Sequence, residues 1–352
     1  MTLPAAVVEP TLIHRLRSIV GARDLGHLDE RLRRLDVLAA EDLAAVERAI
    51  AALPREGALA LRSAGHLLDL GGKRLRPLCV ALASRLGTGF GDAARSLAIA
   101  VEMVHSATLL HDDVVDYGEL RRGAPTARAL FGNAASIFAG DWLLIEALGL
   151  VRAAGIGDTL ERLLGVVRDM IMGESRQLEL RGRVCPDRSA YLSIVEGKTA
   201  SLFSWAAYAG GCAGGLAPVS THALERYGRN MGMAFQIVDD LLDFTGDAEK
   251  LGKNPFADLR EGKTTYPLLL ALEQEPALRE RLDQALRDGD PPDAQLRSEI
   301  TQALHRSGAL AESRLFAERF VADALEALVS LPAGAARDAL ETVAQAAITR
   351  DH

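Results

Sequence analysis

Apolar residues recur at three- and four-residue spacing along almost the whole of the chain, and runs that alternate apolar with polar residues are missing. That period keeps apolar side chains on one face of a helix turn after turn, and it excludes a sheet-based fold. Composition points the same way. Apolar residues make up 49% and aromatics only 5%, with Ala and Leu dominant, a mix that favours helix over strand. Breakers at Gly71-Gly72, Gly87 to Gly91, Gly155 to Asp158, Arg181 to Pro186, Gly210 to Pro218, Gly246 to Pro255, Gly289 to Pro292 and Pro332 to Gly334 separate the helical runs. The expected fold is an all-α bundle. Residues 1–45 are richer in charge (DLGHLDERLRRLD) and read as an exposed helical extension, suited to packing on a partner chain. No segment has linker composition, and no repeat of fixed period is found.

The net charge of −8 argues against a nucleic-acid partner gripped through its phosphates. Cys79, Cys185 and Cys212 form no CxxC pair, which suits a reducing compartment and hence the cytoplasm. The N-terminus has no basic start followed by an apolar block, so no signal peptide is expected. The stretch 201–221, SLFSWAAYAGGCAGGLAPVST, carries no charge and is long enough to span a bilayer. Two GG pairs and a Pro interrupt it, so a buried helix ending in a Gly-rich turn is the preferred reading.

Two helix ends carry an unusual load. HSATLLHDDVVDYGELRRG, 105–123, places Asp112, Asp113 and Asp116 after an apolar run, and FQIVDDLLDFTGD, 235–247, repeats the pattern with Asp239, Asp240 and Asp243. Asp112 and Asp116 share a helix face, as do Asp239 and Asp243, and like charges at that spacing are destabilising. Carboxylates at a helix C-terminus also oppose its dipole. Divalent cations compensate: Mg²⁺ takes a few carboxylate oxygens, keeps waters, and draws its remaining ligands from substrate phosphate. One DDxxD alone could equally be a solvated acidic face. Two copies, each behind apolar residues, point to a metal-dependent site.

Positive charge is as ordered. GGKRLRP, 71–77, sets Lys73, Arg74 and Arg76 between a Gly pair and Pro77; Arg121 and Arg122 follow the first Asp cluster; EGKTASLF carries Lys198 and Thr199; and GDAEKLGKNPFADLREGKTTYP carries Lys253 and Lys263 behind the second cluster. Arg binds phosphate oxygens as a fork and Lys as a point charge. Together with the aspartates they suit two polyphosphate groups, one held through metal and one held directly.

These motifs, in this order over roughly 46–352, resemble the trans-polyprenyl diphosphate synthases of the isoprenoid synthase fold, most of all the octaprenyl type, as LFGNAASIFAGDW at 130–142 also suggests. The resemblance implies a helical bundle around a central cavity and a catalytic domain over 46–352. It implies about three Mg²⁺ per active site, with Asp112, Asp116 and Asp239 as ligands and Asp113, Asp240 and Asp243 in support. By the same similarity, Arg121, Lys198 and Lys263 grip an allylic diphosphate, with Thr199, Gln236 and Lys253 lining its site. Isopentenyl diphosphate then sits on Lys73, Arg76, His105 and Arg122. The implied reaction is departure of the allylic diphosphate, attack by the isopentenyl double bond, and proton loss to the released diphosphate. A homodimer is expected, with at most transient membrane contact for product release.

Ala107 and Thr108 lie about one turn before Asp112, where short-product relatives carry bulky aromatics, so a long product is expected. Two positions depart from the family pattern. Phe256 stands where a Gly is usual, and Tyr117 replaces a commonly acidic or amide residue. Three alternatives compete: a shorter-chain farnesyl or geranylgeranyl synthase, a terpene cyclase, and a non-catalytic subunit of a heteromeric synthase. The retained basic residues speak against the last two.

Overall fold

The computed structural model describes residues 26–184, 187–245, 256–287 and 293–349. In chain order the helices are α1 (Gly26–Ala51), α2 (Leu59–Asp69), α3 (Leu75–Ser84), α4 (Asp92–Val115), α5 (Ala127–Phe131), α6 (Asn133–Ala154), α7 (Thr159–Leu180), α8 (Arg188–Val195), α9 (Ser201–Ala213), α10 (Pro218–Thr245), α11 (Ala257–Arg260), α12 (Tyr266–Gln274), α13 (Pro276–Arg287), α14 (Ala294–Arg306), α15 (Ala309–Leu328) and α16 (Ala335–Thr349). The only strands among the described residues are β1 (Leu120–Arg121) and β2 (Ala124–Pro125), which pair antiparallel. The all-α expectation holds. The chain divides into two compact units: Met1–Leu163, Trp205–Glu225 and Ser330–Val343 in one, and Leu164–Ser204, Arg226–Val329 and Ala344–His352 in the other.

In the first unit α4 is the central helix. Leu97, Ala98, Ala100, Val101, Met103, Val104, Ala107 and Leu110 are all buried, and α6 packs along it. The charged helix α1 is not a detached extension. Leu32, Leu35, Ala39, Leu43, Val46 and Ile50 recur at helical spacing and are buried, packed in this same unit, and the helix runs without a break through residue 45. Its polar face looks outward, which is why its composition reads as exposed.

The uncharged stretch at 201–221 forms the helix α9 and a Gly-rich turn, as expected. Trp205, Ala206, Ala207, Tyr208 and Ala209 are buried, and Gly215 takes the left-handed φ of 74° past the helix end. Gly210 is required by a close approach to α3, since a Cβ there would lie 2.4 Å from the Val80 carbonyl oxygen. By length and apolarity alone α4 and α6 could cross a membrane; α4 is mostly buried, whereas α6 leaves Ile137, Phe138 and Ile145 exposed.

The second unit is built on α12, whose residues Tyr266 to Leu272 are all buried, with α13, α14 and α15 packed against it. Tyr266 stacks on Phe316 with ring centroids 4.9 Å apart. Side-chain caps start two of its helices: Asp187 accepts from Ser189 N at 2.8 Å at the head of α8, and Asp293 from Leu296 N at 2.7 Å at the head of α14.

Candidate active site

Each unit carries one Asp cluster, and each cluster is sorted by burial into inner and outer carboxylates. In the first unit, α4 ends where Tyr117 turns left-handed (φ 56°), so Asp112 and Asp113 sit in its last turn and Asp116 caps it. Asp113 is buried. The hairpin β1–β2 turns through Arg122 and Gly123, both at positive φ, as a two-residue hairpin loop demands. That turn returns Arg121 to Asp113, with Nε and Nη2 donating to Oδ1 at 3.0 and 2.8 Å. The pair answers the cost of a buried carboxylate at the wrong end of a helix dipole. Asp112 and Asp116 are half-buried beside it.

Around His105 the field is positive. Burial holds its imidazole well below the ordinary histidine pKa, and Arg76, Arg122, Arg121 and Arg74 push the same way. His105 is therefore neutral at physiological pH, one ring nitrogen donating and the other accepting. The Arg122 guanidinium reaches the Gly71 carbonyl of the basic turn, and Arg76 and Arg122 are among the cations whose charge acts on His105. Thr108 shares the half-buried face of α4 with His105 and Asp112, its hydroxyl donating to the His105 carbonyl at 2.8 Å; Ala107 is buried in the packing.

In the second unit, Asp240 is the buried member. Tyr191 donates to its Oδ2 at 2.6 Å and the Gln236 amide to its Oδ1 at 2.8 Å. Burial and the charge of Asp258 push its carboxyl well above the usual range. Asp243 accepts from Ala257 N at 2.9 Å and from Asp258 N at 3.3 Å, capping the one-turn helix α11. Asp239 and Asp243 are both half-buried, and Asp239 is the outer group.

Next to these lies a cavity of about 200 Å³, lined by Lys198, Thr199, Gln236, Asp240 and Lys263. The family resemblance assigned Lys198, Lys263, Thr199 and Gln236 to the allylic diphosphate and Asp240 to support of the metal; all five line this one cavity. A π-helical segment, Glu196–Ala200, continues α8 and sets the direction of Lys198 and Thr199, a local widening that is common at functional sites. Thr199 Oγ1 donates to Gln236 Oε1 at 2.9 Å, and Lys263 Nζ to Glu261 Oε2 at 2.6 Å. Lys253 lies outside the described residues.

Glu174 and Gln177 were missed. Both hold Lys198: Glu174 by an ion pair and Gln177 through Oε1 at 3.0 Å. A Cβ on Gly173 would lie 3.1 Å from Lys198 N, so α7 meets the π segment backbone to backbone. The GE pair at 173–174 in an otherwise ordinary amphipathic helix was the available signal. Of two further residues on the cavity wall, Tyr191 gave none, and Asp258 stood out only as the Asp of the DL pair in the family motif.

Both family departures fall at left-handed positions, Tyr117 at φ 56° and Phe256 at φ 63°. Gly, Asn and Asp tolerate that region, whereas an aromatic there is strained. At Phe256 the strain is offset by packing, since its ring is buried and meets Phe244 edge-on at 5.3 Å; Tyr117 is exposed, with Arg128 5.7 Å over its ring.

The donor set suits a hard divalent cation. In the first unit the half-buried Asp112 and Asp116, and in the second the half-buried Asp239, each offer carboxylate oxygens. Among the described residues no three His, Cys, Asp or Glu side chains cluster to hold a metal by themselves.

Comparison with known proteins shows the family. The polyprenyl synthetase family model matches residues 58–304. The chain is 37% identical over 324 residues to the octaprenyl diphosphate synthase of Escherichia coli (strain K12), covering 91% of this chain and 99% of that protein. Among solved structures, a polyprenyl synthase from Caulobacter crescentus CB15, complexed with calcium and isoprenyl diphosphate, superposes with a TM-score of 0.85 at 38% identity, over 91% of this chain and 98% of that one. A decaprenyl diphosphate synthase from Rhodobacter capsulatus gives a TM-score of 0.83 at 36% identity, over 91% and 99%.

Proposed function

The chain belongs to the polyprenyl synthetase family, and we propose that it is a prenyltransferase building long-chain trans-polyprenyl diphosphates by repeated addition of isopentenyl diphosphate to an allylic diphosphate. The observation that carries this reading is the cavity of the second unit, where Lys198, Thr199, Gln236, Asp240 and Lys263 meet. Lys198 and Lys263 hold the allylic diphosphate, and Thr199 and Gln236 orient it through their mutual hydrogen bond. Glu174 and Gln177 fix the Lys198 ammonium before substrate arrives, so little reorganisation is needed when charge develops.

Lys73, Arg76 and Arg122 hold the isopentenyl diphosphate, and neutral His105 adds a hydrogen bond without adding charge. Asp112, Asp116 and Asp239 would hold Mg²⁺, which when bound neutralises charge building on the departing diphosphate. As the allylic carbon–oxygen bond breaks, its electron pair leaves with the diphosphate. The isopentenyl double bond forms the new carbon–carbon bond, and the proton then lost goes to the released diphosphate. Apolar walls keep water from the allylic cation.

The small side chain of Thr108, on the half-buried face of α4, leaves room for a long tail. The apolar side chains Phe138 and Ile145 exposed on α6 suit burial against a second copy, so we place the enzyme as a homodimer, soluble in the cytoplasm and touching a membrane only to release product. Incubation with labelled isopentenyl diphosphate, farnesyl diphosphate and Mg²⁺ should give prenyl diphosphates longer than geranylgeranyl on thin-layer chromatography. Hydrocarbon formed from the primer, or no incorporation of label, would refute the reading.

A further inference from the structure

Arg74 lies in the middle of the basic turn, yet its guanidinium is turned away from solvent, with a side chain only 2% exposed. Nε and Nη2 donate to Glu47 Oε1 and Oε2 at 2.5 and 3.1 Å, and Nη1 donates to Glu102 Oε1 at 2.5 Å. Glu102 comes from α4. Glu47 comes from α1, upstream of the residues matched by the family model. Burial opposes the charge on Arg74, and Glu102 and Glu47 more than offset it, so its pKa stands above the ordinary arginine value.

The Arg74 backbone is left-handed, at φ 51°, a conformation with a steric cost for any residue bearing a Cβ. The charge-assisted bonds to the two carboxylates hold it there. Gly72 rests on the same cluster. A Cβ on it would lie 3.1 Å from Arg74 Nη1, 3.3 Å from Arg122 Nη2 and 3.4 Å from Glu102 Oε1. On its other side the turn is gripped by Arg122, which donates to the Gly71 carbonyl. The turn 71–74 is thus clamped between two guanidinium groups.

We propose that Glu47 is a positioning residue: by fixing Arg74 in its left-handed conformation, it aims Lys73 and Arg76, on either side, at the isopentenyl diphosphate. The proposal rests on the assignment of Lys73, Arg76 and Arg122 to that substrate. It gives α1 a role in binding that a purely structural brace would not have. A built-in comparison exists on the same helix. Asp42 accepts from Arg85 Nε and Nη2 at 2.6 and 2.8 Å, tying α1 to the far end of α3, away from the basic turn.

Positioning and bare electrostatics have opposite signs here. Removing a carboxylate near a diphosphate site strengthens the positive field, which alone would tighten binding. Loss of alignment weakens it.

The test is steady-state kinetics on the full-length protein, varying each substrate at saturation of the other. Glu47 is half-exposed, so Glu47→Gln should fold. It is expected to raise KM for isopentenyl diphosphate about fivefold, a fraction of one charge-assisted hydrogen bond, with kcat and the allylic KM changed by less than about twofold. Asp42→Asn should leave all three parameters in place. Arg74→Lys, which keeps the charge and loses the fork, should raise the same KM, and adding Glu47→Gln to it should do nothing more. Lys73→Ala is the control for the assignment, with KM for isopentenyl diphosphate expected to rise about tenfold or more. If Lys73→Ala has that effect while Glu47→Gln leaves KM unchanged or lowers it, the positioning role is overturned and the assignment stands. If Lys73→Ala has no effect, the assignment falls and the positioning role with it.

Discussion

Asp112→Asn and Asp239→Asn are each expected to lower kcat on the order of 10³-fold, the loss typical of removing one preorganised electrostatic contact to a departing anion. Their melting temperatures should stay level or rise. Asp112 and Asp116 repel each other across one helical turn, and both oppose the dipole of α4, so neutralising one relieves a few tenths of a kcal/mol. Asp113→Asn should behave in the reverse order. Its carboxylate is buried against Arg121 at 2.8 Å, and Arg121 itself is 27% exposed. Removing the partner leaves a partly solvated guanidinium unpaired, a loss of about 1–3 kcal/mol once screening is allowed for. Thermal melts read beside turnover separate the two kinds of aspartate. A D113N variant as stable as the parent, or a D112N variant that keeps its turnover, would contradict the sorting of the cluster into outer and inner groups.

Thr108→Phe is expected to convert the long product into short ones, of farnesyl or geranylgeranyl length, at little expense in stability. Thr108 shares the half-buried face of α4 with His105 and Asp112, one turn below the outer carboxylate. A ring there would stand in the path of a tail growing away from the diphosphate. Ala107→Phe should also shorten products, for the reason that applies to any bulk below the site, but Ala107 is only 2% exposed. Forcing a ring into that packing should lower stability by about 1–3 kcal/mol. Reversed-phase chromatography of the dephosphorylated products reads the first effect and thermal melts the second. Products of unchanged length from Thr108→Phe would put the tail elsewhere.

Much of this was readable beforehand because it rests on local rules. Helical period fixes α4 and α10, and like charge stacked at i, i+4 on the ends of apolar helices has few uses other than binding cations. Lys198, Thr199, Gln236 and Lys263 were likewise named from motif, and they line one cavity. The divisions within each motif were not.

Lys73, Arg74 and Arg76 look alike in a run of basic residues. Only tertiary contact with Glu47 and Glu102, 27 positions before and 28 after, makes Arg74 the buried one. Asp243 looks equivalent to Asp239 by spacing, yet it caps α11 through residues 14 and 15 positions on. The helix α1 reads as a charged extension because its polar face dominates composition, while its leucines at helical spacing mark a buried face. Glu174 and Gln177 depend on a close crossing at Gly173 that no local pattern announces. Tyr117 and Phe256 were visible as departures, and the left-handed backbone at both positions supplies the physical reason why smaller or polar residues are usual there.

The decisive measurement is titration calorimetry with an unreactive allylic thiolodiphosphate, performed with Mg²⁺ and again with EDTA, on the parent protein and on D112N and D239N. A diphosphate bound through metal on the Asp-rich motifs requires tight binding that EDTA abolishes. It also requires each variant to weaken binding by about 10–100-fold, by similar amounts, although the two residues lie far apart in the chain. Binding that survives EDTA, or a variant at either end that binds as the parent does, would contradict it.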